Sequence, residues 1–260
     1  MQHQRPLIFL SNDDGLGAPG LNYLIETVKP LGDVIVVAPA TPQSGKSSAI
    51  TVEEPLRLTP VSSEPGLKIF KVNGTPVDCV KLGLHAATPD RRPDIVIGGI
   101  NHGSNSGNSV IYSGTMGIVM EACMVGIPAV GFSLLHHSWA ADFSQCGPFV
   151  SSIVSNILAN GLPSGICLNV NIPARCTPLG LKVTEASRGH WTEEYAEYTD
   201  PSGRPFYMLT GKFIDDEPDN PATDNYWLSR NYVTAVPVAP DQTAPSPIIE
   251  TLTHQLLQPK

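Results

Sequence analysis

Asn12-Asp13-Asp14-Gly15 follows directly on the apolar run Leu7-Ile8-Phe9-Leu10. Two adjacent carboxylates at the end of a buried strand are costly to keep ionised unless a cation faces them. Oxygen ligands of this hardness suit Mg²⁺, Mn²⁺ or Ca²⁺ rather than a thiolate-loving metal. The same residues also read as a plain Asp-Gly turn. What separates the two readings is the company the pair keeps.

Three further segments have the composition to join it. Ala38 to Ser48 contains Ala40-x₄-Gly45-Lys46-Ser47, a relaxed form of the phosphate-binding P-loop. The strict form needs Gly at the first position and a helix immediately after Lys-Ser. Here Ala40 takes that position, and Ile50-Thr51-Val52 followed by Glu53-Glu54-Pro55 is poor helix material. A polar loop lending a Ser hydroxyl to a neighbouring site fits better. Gly98 to Asn108 combines small residues, which allow close backbone approach, with Asn side chains that offer both oxygens and amide donors. His102 within it reads as a local hydrogen-bonding residue, not a metal ligand. Tyr112-Ser113-Gly114-Thr115 precedes a helical pattern, where it serves as an N-cap, as an anion site, or as both.

The elements that must position these loops alternate strand and helix. Leu7–Leu10, Val34–Val37, Ile95–Ile97, Ala129–Phe132 and Ile166–Val170 are short apolar runs of the kind buried on both faces of a parallel sheet. Leu21–Leu31, Thr115–Val125 and Phe149–Leu158 carry helical spacing, and Thr75-Pro76 offers a cap and a first-turn proline for a helix to about His85. The strand at Ile95 is expected to end at Gly98-Gly99. Repeated βα units predict an α/β, Rossmann-like, doubly wound and mostly parallel sheet, with ligands at its carboxyl edge. This catalytic unit is expected over residues 1–180.

Residues 181–260 read differently. Trp191–Tyr198 and Pro205–Phe213 are aromatic-rich and flank the turn signal Asp200-Pro201-Ser202-Gly203, predicting a C-terminal β-hairpin extension that packs on a second subunit. Tyr232–Val238 is expected to rejoin the body as a strand, and Ile248–Leu257 to form a terminal helix. His136-His137 and Asp215–Pro221 are expected as surface loops.

Composition narrows the function classes. A formal net charge of −8 argues against nucleic-acid binding. No run approaches the ~18 apolar residues of a membrane span, and the early residues do not resemble a signal peptide. Five cysteines without CxxC spacing suggest reduced thiols, hence a cytoplasmic protein.

Asn12-Asp13-Asp14-Gly15, Ala38-Pro39 with Ser44-Gly45, Gly99-Ile100-Asn101 with Gly103 and Asn105, and Val110 to Thr115 occur in that order. Together they resemble the survival protein SurE family, metal-dependent 5′-nucleotidases. Asn169-Val170-Asn171-Ile172-Pro173 and Thr223-Asp224 extend the resemblance. It implies one divalent metal per subunit, Mg²⁺ or Mn²⁺, held by Asp13, Asp14, Ser44 and Asn101. It also implies a homodimer or homotetramer built through C-terminal arms. This chain departs from the commoner family wording at His102 and Ser104, which puts substrate preference, not the metal ligands, in question.

The expected reaction is hydrolysis of nucleoside 5′-monophosphates, with 3′-nucleotides and short polyphosphate left open as further substrates. Asp13 and Asn105 are the expected catalytic residues. Ser44, Gly45, Asn105, Ser113, Gly114 and Thr115 are expected to bind phosphate. Two rivals are a P-loop phosphotransferase using Lys46 and Ser47, and a nucleotide-sensing module without chemistry.

Overall fold

The computed structural model describes residues 5–257. Its first strand, β1 (Leu7–Ser11), is wholly buried and pairs in parallel with β2 (Asp33–Pro39) and with β5 (Ile95–His102). Such a position demands apolar side chains on both faces, which is why the strand reads as a continuous apolar run. On the β2 side lie β4 (Leu67–Val72), parallel to β2, and the antiparallel edge strand β3 (Leu58–Glu64). On the β5 side follow β6 (Ala129–Leu134) and β7 (Cys167–Ile172), both parallel. The sheet then closes with β13 (Val233–Val238), antiparallel to β7, and β8 (Leu181–Val183). The full order is β3-β4-β2-β1-β5-β6-β7-β13-β8.

Helices cover both faces. One core packs α1 (Pro19–Val28) and α4 (Cys146–Asn160) over Ile8, Leu10, Ile97 and Phe132. The other packs α2 (Pro76–Leu82) and α3 (Gly114–Met124) over Phe9, Val37 and Val96. The fold class matches expectation: α/β with a mostly parallel central sheet.

Three boundaries moved for identifiable reasons. Helix α1 starts at Pro19 and stops before Pro30, which lacks the N–H a further turn would need, so Leu31 lies in the following turn. Thr75 caps α2 through a reciprocal capping box with Asp78, and a π-helical turn, Gly83–Ala87, continues it. Strand β5 does not end at Gly98-Gly99: it shifts register between Gly98 and Asn101 and runs on to His102 beside β6. An irregularity of this kind re-aims the residues after it, here Asn101 and His102.

The C-terminal extension is a single long hairpin built as two ladders. The outer one pairs β10 (Tyr195–Thr199) with β11 (Pro205–Leu209), closed by the Asp200–Gly203 turn; the inner one pairs β9 (Gly189–Thr192) with β12 (Lys212–Asp215). They are separated at Glu193 and Gly211, both at positive φ. Beyond lie α5 (Asp224–Leu228), which precedes β13, and α6 (Ser246–Leu257). Among the described residues, no helix is long and apolar enough to cross a membrane.

Candidate active site

The loops expected to meet do converge at the carboxyl edge of β1, β2 and β5. Asp13 and Asp14 are both buried there. Thr115 Oγ1 donates to Asp13 Oδ1 at 2.5 Å, across 102 residues of sequence. The His102 backbone N–H donates to Asp14 Oδ2 at 3.1 Å. No Lys or Arg forms an ion pair with either carboxylate among the described residues. Burial therefore pushes Asp13 up to about 6, with Thr115 pulling against it and Asp14 adding repulsion. Asp14 is raised by the same burial, offset by the His102 N–H and by the nearby His102 and His137 rings.

Helix α3 points its N-terminus at this pair. Ser113 caps it, accepting from Met116 N at 3.0 Å, while the Gly114 and Thr115 N–H groups have no intrahelical partner. The approach is so close that a Cβ on Gly114 would lie 2.8 Å from Asp13 Cβ and 2.9 Å from its Oδ2. Only glycine fits, which fixes its place in the Tyr-Ser-Gly-Thr motif. An anion at this point meets unpaired N–H groups and the positive end of the helix.

The loop after β2 is anchored on both sides of Ser44. Gln43 N–H donates to the Asp13 carbonyl at 2.7 Å, and Ser47 Oγ donates to the Ile111 carbonyl at 2.5 Å. Ser44 and Gly45, which follow Gln43, are exposed. No helix follows Lys46-Ser47; turns and extended chain lead to β3, as the poor helix composition predicted.

Asn101 donates from Nδ2 to the Gly103 carbonyl at 2.9 Å, which leaves its Oδ1 uncommitted. Asn105 is held by a different set. Its N–H donates to Asn171 Oδ1 at 2.9 Å, its Nδ2 to Ser133 Oγ at 2.8 Å, and its carbonyl accepts from Asn169 Nδ2 at 2.8 Å. The structure thus joins Asp13, Asp14, Gly114 and Thr115 directly and sets Ser113 beside them. Asn105 instead sits in a buried carboxamide network at the adjoining strand ends.

Ser133, Asn169 and Asn171 carry no role in the sequence reading, although a signal was present. Asn169 and Asn171 stand two apart in a buried strand and so share one face. Asp224 entered only as part of the resemblance, with no role assigned: it accepts from Gly107 N at 2.8 Å and from Ser187 N and Oγ at 2.8 and 2.7 Å. His136 and His137 lie in a surface loop as expected, and both have local partners. His136 is half-buried and bonded to Arg175 at 3.0 Å, and the His137 ring packs over Gly103.

The donor set fits a divalent cation. Two buried carboxylates lack a counter-charge, Asn12 Oδ1 is buried without any partner, and the Asn101 Oδ1 and Ser44 hydroxyl are free to ligate. The candidate donors gathered here are all oxygens, the kind that hard divalent cations take.

The family model "Survival protein SurE" matches residues 8–193. The chain is 45% identical over 244 residues to "5'-nucleotidase SurE" of Bacteroides fragilis, covering 94% of this chain and 95% of that protein. It is 47% identical to the protein of the same name from Phocaeicola vulgatus, again with 94% and 95% covered. The crystal structure of the SurE protein from Aquifex aeolicus superposes with a TM-score of 0.82 at 33% identity, covering 96% of this chain and 99% of that one.

Proposed function

The chain belongs to the survival protein SurE family, and from that premise we infer that it is a 5′-nucleotidase, a phosphoric monoester hydrolase that releases inorganic phosphate from nucleoside 5′-monophosphates. The observation that carries the reading is the buried Asp13–Asp14 pair set against the open N-terminus of α3. One face of the crevice attracts a cation and the other an anion.

One Mg²⁺ or Mn²⁺ per subunit would be held by Asp13, Asp14, the Ser44 hydroxyl and Asn101 Oδ1. When bound, the cation supplies charge compensation for the phosphoryl oxygens and makes water more acidic. The chain's own groups do the rest. The Gly114 and Thr115 N–H groups and the Ser113 hydroxyl bind the phosphoryl oxygens, with Ser44 and Gly45 closing from the other side. Thr115 spends its hydroxyl proton on Asp13, so it positions that carboxylate and binds phosphate through its backbone. Asp13 orients the attacking water and accepts its proton as the bond from phosphorus to the nucleoside 5′-oxygen breaks, and that proton passes on to the departing alkoxide. Asn105, locked by Ser133 and Asn171, holds the phosphoryl group in line.

Residues 1–180 form the catalytic unit and 181–260 the arm and returning elements. The arm supports a homodimer or homotetramer, because many of its rings and aliphatic chains stay exposed among the described residues. The acidic balance disfavours nucleic acid as a partner. Free, mostly buried cysteines favour the cytoplasm.

A phosphate-release panel tests the reading: AMP, GMP, CMP, UMP, 3′-AMP and short polyphosphate, each with Mg²⁺, Mn²⁺ or chelator. Metal-dependent release from 5′-monophosphates is expected. Release only with a phosphoryl acceptor present would instead favour a transferase. Absence of turnover, even of an aryl phosphate, would reduce the protein to a nucleotide binder.

A further inference from the structure

Resting on the nucleotidase reading, we propose that Trp139, stacked on His102 at the mouth of the crevice, is the platform for the substrate's nucleobase and gives the enzyme a preference for purine nucleotides. His102 follows Asn101 and is tied through its backbone N–H to Asp14. Its ring is fixed as well. Nε2 accepts from Gly20 N–H at 3.4 Å, so Nδ1 carries the proton and donates to the Ser138 carbonyl at 3.1 Å. Phe143 meets the ring edge-on at a centroid distance of 4.9 Å. Trp139 lies nearly parallel to it, at 5.2 Å and 22°.

The stack therefore has a rooted end beside the carboxylates and an outer end, Trp139, that remains 55% exposed. The supporting loop is itself ordered by Ala140 N–H donating to Ser138 Oγ at 3.1 Å. A large, half-exposed indole, stacked on a ring that adjoins Asn101 and whose backbone is tied to Asp14, offers a flat ring a stacking partner. A purine covers more of that face than a pyrimidine. The loop at Thr41–Ser48 carries no aromatic residue. Tyr112, in the segment that leads into α3, is 59% exposed, and among the described residues no ring contact holds it in place.

The test is kcat/KM for AMP, CMP and ribose 5-phosphate in the wild type, Trp139→Leu, Trp139→Phe and Tyr112→Leu. The AMP to ribose 5-phosphate ratio should fall by about tenfold in Trp139→Leu, mostly through KM, and by less for CMP. Trp139→Phe should restore most of the ratio. Adenosine, which has no phosphate, should quench tryptophan fluorescence in the wild type and lose that effect in Trp139→Phe. An unchanged ratio in Trp139→Leu, an equal fall for AMP and ribose 5-phosphate, or a shift seen instead in Tyr112→Leu overturns the proposal. If the wild type turned over no phosphomonoester, the nucleotidase reading would fail, while adenosine quenching would still report on Trp139.

Discussion

At the carboxyl edge of the sheet, groups that water would normally solvate are buried; along the arm, groups that water would normally exclude are exposed. The crevice hides Asp13, Asp14, Asn105, Asn169, Asn171 and Asp224 and answers most of their polar atoms from within the chain. The arm presents Tyr195, Tyr207, Met208 and Leu209, the last 74% exposed, and answers only a few, as in the Tyr198–Phe206 stack at 5.5 Å. Each region is unfinished in its own way. The crevice lacks a positive charge, and the arm lacks an apolar surface. The chemistry of the missing piece can be read from what is left over in each.

The largest effect should come from completing the crevice in the wrong way. Asp13→Asn removes one of two carboxylates facing the cation and the base that orients water. Phosphate release should fall by about three orders of magnitude, with bound metal lost in parallel by elemental analysis. The same change should raise the stability of the metal-free protein at pH 7. In the wild type, a folded-state pKa of about 6 lies above the ordinary 3.8, so the folded state binds the Asp13 proton more tightly than the unfolded state does. That contribution is full below about pH 3.8 and is lost as pH rises through 6, at a cost of roughly 3 kcal/mol. Chemical denaturation in chelator should show this decline for the wild type and not for Asp13→Asn. A variant that kept its metal and full turnover would remove Asp13 from the site.

The arm should respond in assembly before it responds in chemistry. Deleting residues 191–213 is expected to give monomer or aggregate by light scattering, since a partner surface is removed and mass-action stabilisation is lost with it. An intact chain that stayed monomeric at micromolar concentration would end the comparison on this side and leave the nucleotidase assignment standing.

Asp224 joins the two regions. It belongs to the C-terminal segment yet accepts from the backbone N–H of Gly107, 117 residues earlier, in the loop that carries Asn105. Asp224→Ala leaves the Gly107 and Ser187 donors buried and unpaired, so a loss of about 3 kcal/mol in denaturant unfolding is expected. A fall of about tenfold in kcat/KM should accompany it as the phosphate-side loop loosens. Loss of stability with kcat/KM unchanged would show that the C-terminal segment supports the fold and not the crevice.

What was legible follows the same division. Asn12-Asp13-Asp14-Gly15, Ser113-Gly114-Thr115 and Thr75-Pro76 are turns and caps whose conformation is set locally, and each lies at the strand end or helix start that its residues predicted. The long-range partners left little trace: nothing near Asp224 signals Gly107, and His137 gives no hint that its ring covers Gly103. β3 was invisible for another reason. An edge strand exposed along nearly its whole length, with Pro60 in it, has no buried face to impose alternation. Strand β5 ran past its glycine pair because pairing with β6 resumed beyond the register shift, which local punctuation does not reveal.

The smallest expected effect bears on the loop that looks most like a different enzyme. Lys46 follows Gly45 and precedes Ser47, as a P-loop lysine would, and a basic side chain beside two buried carboxylates would blur the contrast between crevice and arm. Yet Lys46 is exposed and forms no ion pair with Asp13 or Asp14, and the chain after it continues as turns rather than as a helix that would aim N–H groups at phosphate. The helix that does so is α3, entered from a separate loop. An exposed lysine on this loop adds screened attraction for an anionic substrate and little else. Lys46→Ala should therefore change kcat by less than about twofold and raise KM modestly, with the rise fading at high ionic strength. A loss of kcat comparable to that of Asp13→Asn would mean that the lysine touches the transferring phosphoryl group, and the phosphate site would have to be moved from α3 to the loop after β2.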